Sequence, residues 1–175
     1  ENINQIEQKE SFLQFIKLLN SFYLSIINSP ELADSDGFRL FDLSFEFLLK
    51  CINENDEDEM NSVSFEAVTF FYNLMSSFSK NLFVLFDSRL NELVQILFEK
   101  VGIDQNIEFF GISRIALKTI QIISIIFPFE ETLDIISPKI ESILSNPSES
   151  DGFEILCSLR TFSKILSIKN QKLIF

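Results

Sequence analysis

Histidine and tryptophan are both absent from the 175 residues of this chain. The lack of histidine removes the most common general base, the Ser-His and Cys-His nucleophile pairs, and the usual nitrogen ligand of zinc and iron. Neither a Gly-rich phosphate loop nor a Cys-x-x-Cys motif occurs in the sequence. The sequence therefore predicts a protein that is not an enzyme, with no catalytic residue, no cofactor and no metal site.

Turn-forming residues and cysteines are also scarce. Glycine and proline number four each, and an all-β protein of this size needs many more of them, so the composition favours helices. The two cysteines, Cys51 and Cys157, each lie within an apolar helical pattern. We expect them to be small core residues and not a disulfide or a metal pair, which fits a reducing compartment, the cytoplasm or the nucleus.

Basic residues are outnumbered, since 14 Lys and Arg face 26 Asp and Glu for a net charge of −12. An acidic chain of this kind is not expected to bind nucleic acid directly. The longest uncharged runs, residues 18–30 and 119–129, are shorter than the roughly 20 residues that cross a bilayer, which argues against membrane insertion. Acidity can recruit basic protein partners, but it is also an ordinary route to solubility.

What the sequence has in abundance is apolar residues at helical spacing, including 21 phenylalanines. The apolar positions recur every three to four residues and sustained alternation is rare, so an all-α protein with about seven helices is predicted. In the sixth helix we place Ser137 at the cap and Pro138 at the first helical position, after a turn at residues 130–135. The predicted helices span residues 6–28, 36–52 with Asp36 as N-cap, 63–78, 87–101, 107–126, a segment from 138 onward, and 151–168.

A small–apolar–x–x–bulky–x–x–apolar pattern returns along the chain. It begins at Ala67, at Ala116 and at Ser158, spaced 49 and 42 residues apart. Two-helix HEAT and armadillo repeats have periods of roughly 40–47 residues. The period predicts a right-handed α-solenoid of stacked antiparallel helix pairs, with residues 1–175 as a single repeat segment of a longer solenoid. The small residues are then the points where stacked helices approach closely. A closed helical bundle with coincidental spacing is the alternative.

The densest charge feature is an acidic run between the second and third predicted helices. It could form a docking surface for a Lys/Arg-rich segment, through charge steering and hydrogen bonds. A solvated inter-helix loop is the simpler explanation, because charge runs usually form such loops. A calcium loop fits poorly, because the central Gly and terminal Glu of an EF-hand are missing. The acids are Glu54, Asp56, Glu57, Asp58 and Glu59.

The acidic run and the following segment Phe65-Glu66-Ala67-Val68-Thr69-Phe70-Phe71 are similar to HEAT repeats of the importin-β/exportin (karyopherin-β) family. That family commonly has an acidic inter-repeat loop before a helix with Glu-Ala and an aromatic pair. The resemblance covers residues 38–101, and this chain has Phe71 where the family often has Trp. It implies a receptor that wraps cargo and answers to a small GTPase. It also implies that inner-face residues hold basic or extended cargo segments, which here are Glu54 to Glu59 together with Glu66, Thr69 and Asn73.

The sequence therefore supports a non-enzymatic, protein-binding helical-repeat scaffold. The first hypothesis is a nucleocytoplasmic transport receptor that binds cargo and a small GTPase. The second is a structural HEAT/armadillo subunit of a larger complex, such as a phosphatase, kinase, vesicle-coat or chromosome-associated assembly. A freestanding helical-bundle regulator is the third.

Overall fold

The computed structural model describes residues 3–53, 63–101 and 111–146, together with residue 163. All regular elements in these ranges are helical, which confirms the predicted all-α class; no strand occurs among the residues described. Whether the helices stack as a right-handed solenoid stays a prediction. The seven α-helices are α1 (Ile3–Ile26), α2 (Ser35–Asn53), α3 (Val63–Ser76), α4 (Asn81–Phe86), α5 (Leu90–Val101), α6 (Ile112–Ile126) and α7 (Phe129–Ser145), with a 3-10 helix at Pro30–Ala33.

The chain divides into two compact units, Glu1–Arg89 and Leu90–Phe175. In the first unit α3 packs against both α1 and α2, while α4 adjoins α2 and the 3-10 helix. In the second unit α5 packs against α6 and α7. The expectation of one repeat segment over residues 1–175 stays a prediction.

Phenylalanine and tyrosine rings form the core of the first unit. Tyr23 of α1 meets Phe41 of α2 and Phe70 of α3 edge to face, with ring centroids 5.6 and 5.8 Å apart. Phe86 of α4 contacts Phe41 at 5.1 Å in the same geometry. Edge-to-face pairs add about 0.5–1.5 kcal/mol beyond the area that they bury. Much of the aromatic content of the sequence is therefore used to join four helices in one cluster.

The junction between α1 and α2 depends on Asp34 and Gly37. The side chain of Asp34 accepts hydrogen bonds from the backbone N–H groups of Asp36 and Gly37, at 3.1 and 2.9 Å, and so caps α2. The prediction of Asp36 as the N-cap was wrong, because the 3-10 helix after Pro30 brings Asp34 to that position. A Cβ atom on Gly37 would lie 2.6 Å from the carbonyl oxygen of Glu31, so only glycine fits this approach.

The helix predicted over residues 87–101 is present as α5, and it begins at Leu90. Before it lies α4, which the sequence analysis did not identify, with Leu82, Leu85 and Phe86 buried. A helix of six residues is too short to display a helical period by itself. Phe78, in the connection after α3, has a positive φ of 51°, and this left-handed residue turns the chain toward α4.

In the second unit α6 ends at Ile126, as predicted, while residues 107–110 of that predicted helix lie outside the described part. The prediction for Pro138 was wrong. Helix α7 begins at Phe129 and continues through Pro138, so residues 130–135 are helical and not a turn. Pro138 is itself exposed to solvent. The predicted helix over residues 151–168 and Ser158 also lie outside the described part.

Candidate functional site

The acidic run lies outside the described residues, since Glu54, Asp56, Glu57, Asp58 and Glu59 all fall in the gap at 54–62. Its role as a docking surface stays a prediction.

Glu66, Thr69 and Asn73, the other three predicted binding residues, lie along α3 where it faces α1. The carboxylate of Glu66 lies 3.4 Å from the ammonium of Lys17, and the amide of Asn73 donates to Asn20 Oδ1 at 3.5 Å. The Thr69 hydroxyl is buried, with no hydrogen-bond partner among the described residues. The structure thus brings these residues together at the α1–α3 contact, and partner binding by them stays a prediction.

Two acidic residues of α2, Asp42 and Glu46, are likewise engaged by another residue of the first unit. Arg89 donates to Asp42 Oδ1 at 2.6 Å and lies 2.7 Å from Glu46 Oε1, with its guanidinium 5.3 Å from the centre of the Phe45 ring. Two carboxylates and an aromatic face hold one arginine, a geometry that favours Arg over Lys. Asp42 and Glu46 therefore fasten the end of the first unit to α2.

A groove of about 550 Å³ lies between α5 and α7 in the second unit. On α5 its polar residues are spaced i, i+4, i+8, at Asn91, Gln95 and Glu99, so they follow one face of the helix. On α7 the same spacing holds for Asp134, Pro138 and Ser142. The apolar lining is Val94, Phe98, Ile135 and Ile136.

Pro138 changes the hydrogen bonding of the groove wall. A proline has no N–H group to donate to the carbonyl four residues before it, which here belongs to Asp134. The wall consequently offers the Asp134 carbonyl oxygen without its usual helical donor, beside the Asp134 and Glu99 carboxylates. Among the described residues of the lining, Glu99 and Asp134 carry the charge, and both are acidic.

The groove therefore combines an apolar floor with an excess of hydrogen-bond acceptors and negative charge. A Lys or Arg side chain matches this combination, because its aliphatic part can contact the half-buried Ile135 while its cationic end donates to the acceptors.

Sequence reasoning did not find this groove because it assigned residues 130–135 to a turn, which separated Asp134 from Pro138. The available signal was the i, i+4, i+8 spacing of Asp134, Pro138 and Ser142, which becomes visible once a single helix is drawn through the proline.

The described part of the chain holds no cluster of three or more His, Cys, Asp or Glu residues suited to a metal ion. The thiol of Cys51 is buried and is not part of a disulfide. No helix in the ranges that the structure covers is long and apolar enough to cross a membrane.

In its described part the chain is thus all-helical, with an acidic groove between polar faces of α5 and α7. Comparison with models of known protein families, with curated proteins and with solved structures found no match to this chain.

Proposed function

We propose that this chain is part of a helical-repeat scaffold that binds other proteins without catalysing a reaction, and that its α5–α7 groove receives a basic side chain from an extended segment. The observation that supports this most strongly is the acceptor-rich lining of the groove, in which Glu99, Asp134 and the carbonyl released by Pro138 lie beside apolar side chains. A basic segment could donate hydrogen bonds to acceptors of this lining.

The solenoid arrangement is part of the same proposal. Its support is the sequence period and the burial of Ala67 and Ala116, which are both fully inaccessible to solvent. Small residues at these positions suit close helix contacts. The transport-receptor hypothesis rests on the resemblance at residues 56–71 together with an acidic groove suited to basic cargo. Preference for one nucleotide state of a small GTPase is the property that would separate it from a structural HEAT/armadillo subunit.

The groove is tested with the double variant Glu99→Gln/Asp134→Asn. We expect the affinity for a fluorescent, unstructured Lys/Arg-rich peptide to fall about tenfold, because two carboxylates that face the cation are lost. Fluorescence anisotropy at low salt measures the change. The matched control is Glu130→Gln/Glu141→Gln, which removes the same charge from exposed positions of α7 outside the groove lining.

Equal losses in the two double variants would show that only the net charge of the chain attracts the peptide, and would refute the groove as its site. A second contrary result would be an unchanged groove variant beside a loss when the acids of residues 54–59 are replaced by Ser and Asn. That result would assign binding to the acidic run.

A further inference from the structure

The two acids of the α5–α7 groove lie on different helices, and the path of the chain determines how far apart they are. Helix α6 begins beside the end of α5, since the Ser113 hydroxyl donates to the Val101 carbonyl at 2.8 Å. It then packs along α5, because the buried residues of the two helices recur over their lengths, from Leu90 to Val101 and from Ile112 to Ser124. Helix α6 therefore runs back toward the start of α5.

Helix α7 runs in the same direction as α5. Only residues 127–128 separate the end of α6 from the start of α7, and a link of that length reaches at most about 11 Å. Helix α7 thus begins near the start of α5 and packs against it. Asp134, in the first part of α7, therefore lies toward Asn91, and Ser142 lies toward Glu99.

The opposite direction of α7 is excluded by distance. It would place Asp134 beside Glu99, and the start of α7 would then lie about 21 Å along the axis from the start of α5. The link after α6 covers only about half of that distance. The two acids therefore lie near opposite ends of the groove, separated along it by about 12 Å of helix. Side chains on both helices lean toward their N-termini, so this separation is preserved at the carboxylates.

Each end of the groove thus has one acid and one uncharged polar side chain, and its middle has the half-buried Ile135 beside Pro138. Glu99 also acts electrostatically on Lys100, the next residue, which lies outside the lining. A carboxylate has about four acceptor positions, so such an interaction leaves others for a ligand. One cation can contact only one of the two carboxylates and is attracted by the other at a distance, whereas two cations can each contact one.

We infer, on the basis of the groove function proposed above, that the bound segment carries two basic residues four positions apart, each facing one of the two carboxylates. An extended segment rises about 3.3 Å per residue, so four positions cover about 13 Å, and positions i and i+4 face the same side. Position i+2 also faces the groove and lies over Ile135, where a small apolar residue fits. The partner is therefore a protein segment with the pattern basic–x–apolar–x–basic.

Double-mutant cycles test this pairing, with the full chain and an unstructured fluorescent peptide in which two lysines flank Ser-Ala-Ser. Each lysine is replaced in turn by Gln, and each acid in turn by Glu99→Gln or Asp134→Asn. Anisotropy is measured at about 0.1 M salt, where charges 12 Å apart are largely screened. With the native chain we expect each lysine replacement to weaken binding about threefold, as for one partly exposed ion pair.

The expected result is exclusive pairing. One lysine replacement should lose its effect only in Glu99→Gln, and the other only in Asp134→Asn. Glu141→Gln is the control, because it removes an exposed acid of α7 outside the lining and should leave both effects unchanged. Coupling of both acids to the same lysine would overturn the inference and leave the proposed groove standing. If neither acid variant changed the affinity of any peptide, the groove itself would be refuted.

A second comparison places the two lysines three positions apart, where they face opposite sides of an extended segment. That peptide has the same charge and is expected to bind at least about threefold more weakly. Equal affinity would refute the extended register. Spermidine, a free polyamine with a cation at each end, is the competitor. If it binds more tightly than the peptide with four-residue spacing, the ligand is a small molecule and the inference is overturned.

Discussion

At the scale of single residues, burial shifts the pKa of two ionisable side chains, Tyr23 and Lys100. Tyr23 is fully buried, and desolvation raises the pKa of its phenol although Ser44 shares a 3.1 Å hydrogen bond with it. Lys100, in the last turn of α5, is only 7% exposed, and burial lowers the pKa of its ammonium. The neighbouring Glu99 opposes that shift in part. Burial of a cation is costly unless it is compensated.

Lys100→Met is expected to stabilise the chain. The native pKa of Lys100 lies below that of the unfolded chain, so between the two values the unfolded state binds more protons and stability rises with pH. Below that interval the lysine must be buried with its charge, and the full cost applies. We therefore expect a gain of about 1 kcal/mol at acidic to neutral pH, which shrinks as the pH approaches the ordinary lysine value of about 10.4.

Urea unfolding at several pH values measures this difference. The control is Lys80→Met, the same exchange at an exposed site. If the stability gained by Lys100→Met does not change with pH, its cause is better packing and not the removal of a buried charge. That result would contradict the electrostatic explanation.

At the scale of helices, α7 contains a residue that is unfavourable for the helix but lies in the proposed binding groove. Pro138 lies within the helix and lines the groove, where the backbone hydrogen bond that it removes would have occupied the Asp134 carbonyl. Interior proline costs a helix up to about 3 kcal/mol. The proposed role of the Asp134 carbonyl as an acceptor in the groove would give Pro138 a use that offsets this cost.

Pro138→Ala should therefore have two opposite effects. It is expected to raise the free energy of unfolding by about 1 kcal/mol or more, because the N–H donor is restored and the ring no longer crowds the preceding turn. It should also weaken binding of the Lys/Arg-rich peptide, because the Asp134 carbonyl is then occupied. Thermal unfolding and anisotropy measure the two effects.

Ser137→Ala is the control for the Pro138→Ala experiment. It raises helix propensity at the adjacent position by about half a kcal/mol and leaves the backbone donors unchanged. If Pro138→Ala stabilises α7 and binds the peptide as well as the native chain does, the carbonyl has no part in binding.

At the scale of the whole molecule, the two units have separate cores. The first unit is held by the aromatic cluster and by Arg89, whose partners Asp42 and Glu46 belong to the same unit. In the same unit the Ile27 carbonyl accepts two hydrogen bonds, from the buried Ser79 hydroxyl at 2.8 Å and from the Asn81 amide at 2.7 Å. These bonds connect the start of α4 to the end of α1. These contacts all lie within residues 1–89.

A fragment of residues 1–89 is therefore expected to fold by itself. We expect a cooperative thermal transition by circular dichroism, since the aromatic cluster and the Arg89 ion pairs are all retained. A fragment of residues 1–78 is the control, because it lacks Phe86 and Arg89 and should lose that cooperativity. A fragment 1–89 without a cooperative transition would contradict the division into two units and favour a closed bundle of the whole chain.

Much of the helical content was predictable because it depends on local sequence. The ends of α3, α5 and α6 lie close to the predicted bounds, since apolar period and turn formers act over a few residues. The cap of α2 was assigned to the wrong aspartate, Asp36 in place of Asp34, because the sequence does not reveal the 3-10 turn that aligns it. The continuation of α7 through Pro138 was missed since proline is unfavourable within a helix in the absence of tertiary contacts.

By itself the sequence determined the helical class, the acidic charge and the absence of histidine chemistry, because composition and short-range periodicity express these directly. Only the tertiary structure decided which residues the carboxylates on the helix surfaces contact. Glu66 meets Lys17 from 49 positions away, and Asp42 meets Arg89 from 47, so no local pattern could show that these carboxylates are engaged. The same is true of the α5–α7 groove, which exists only because two separate helices pack against each other.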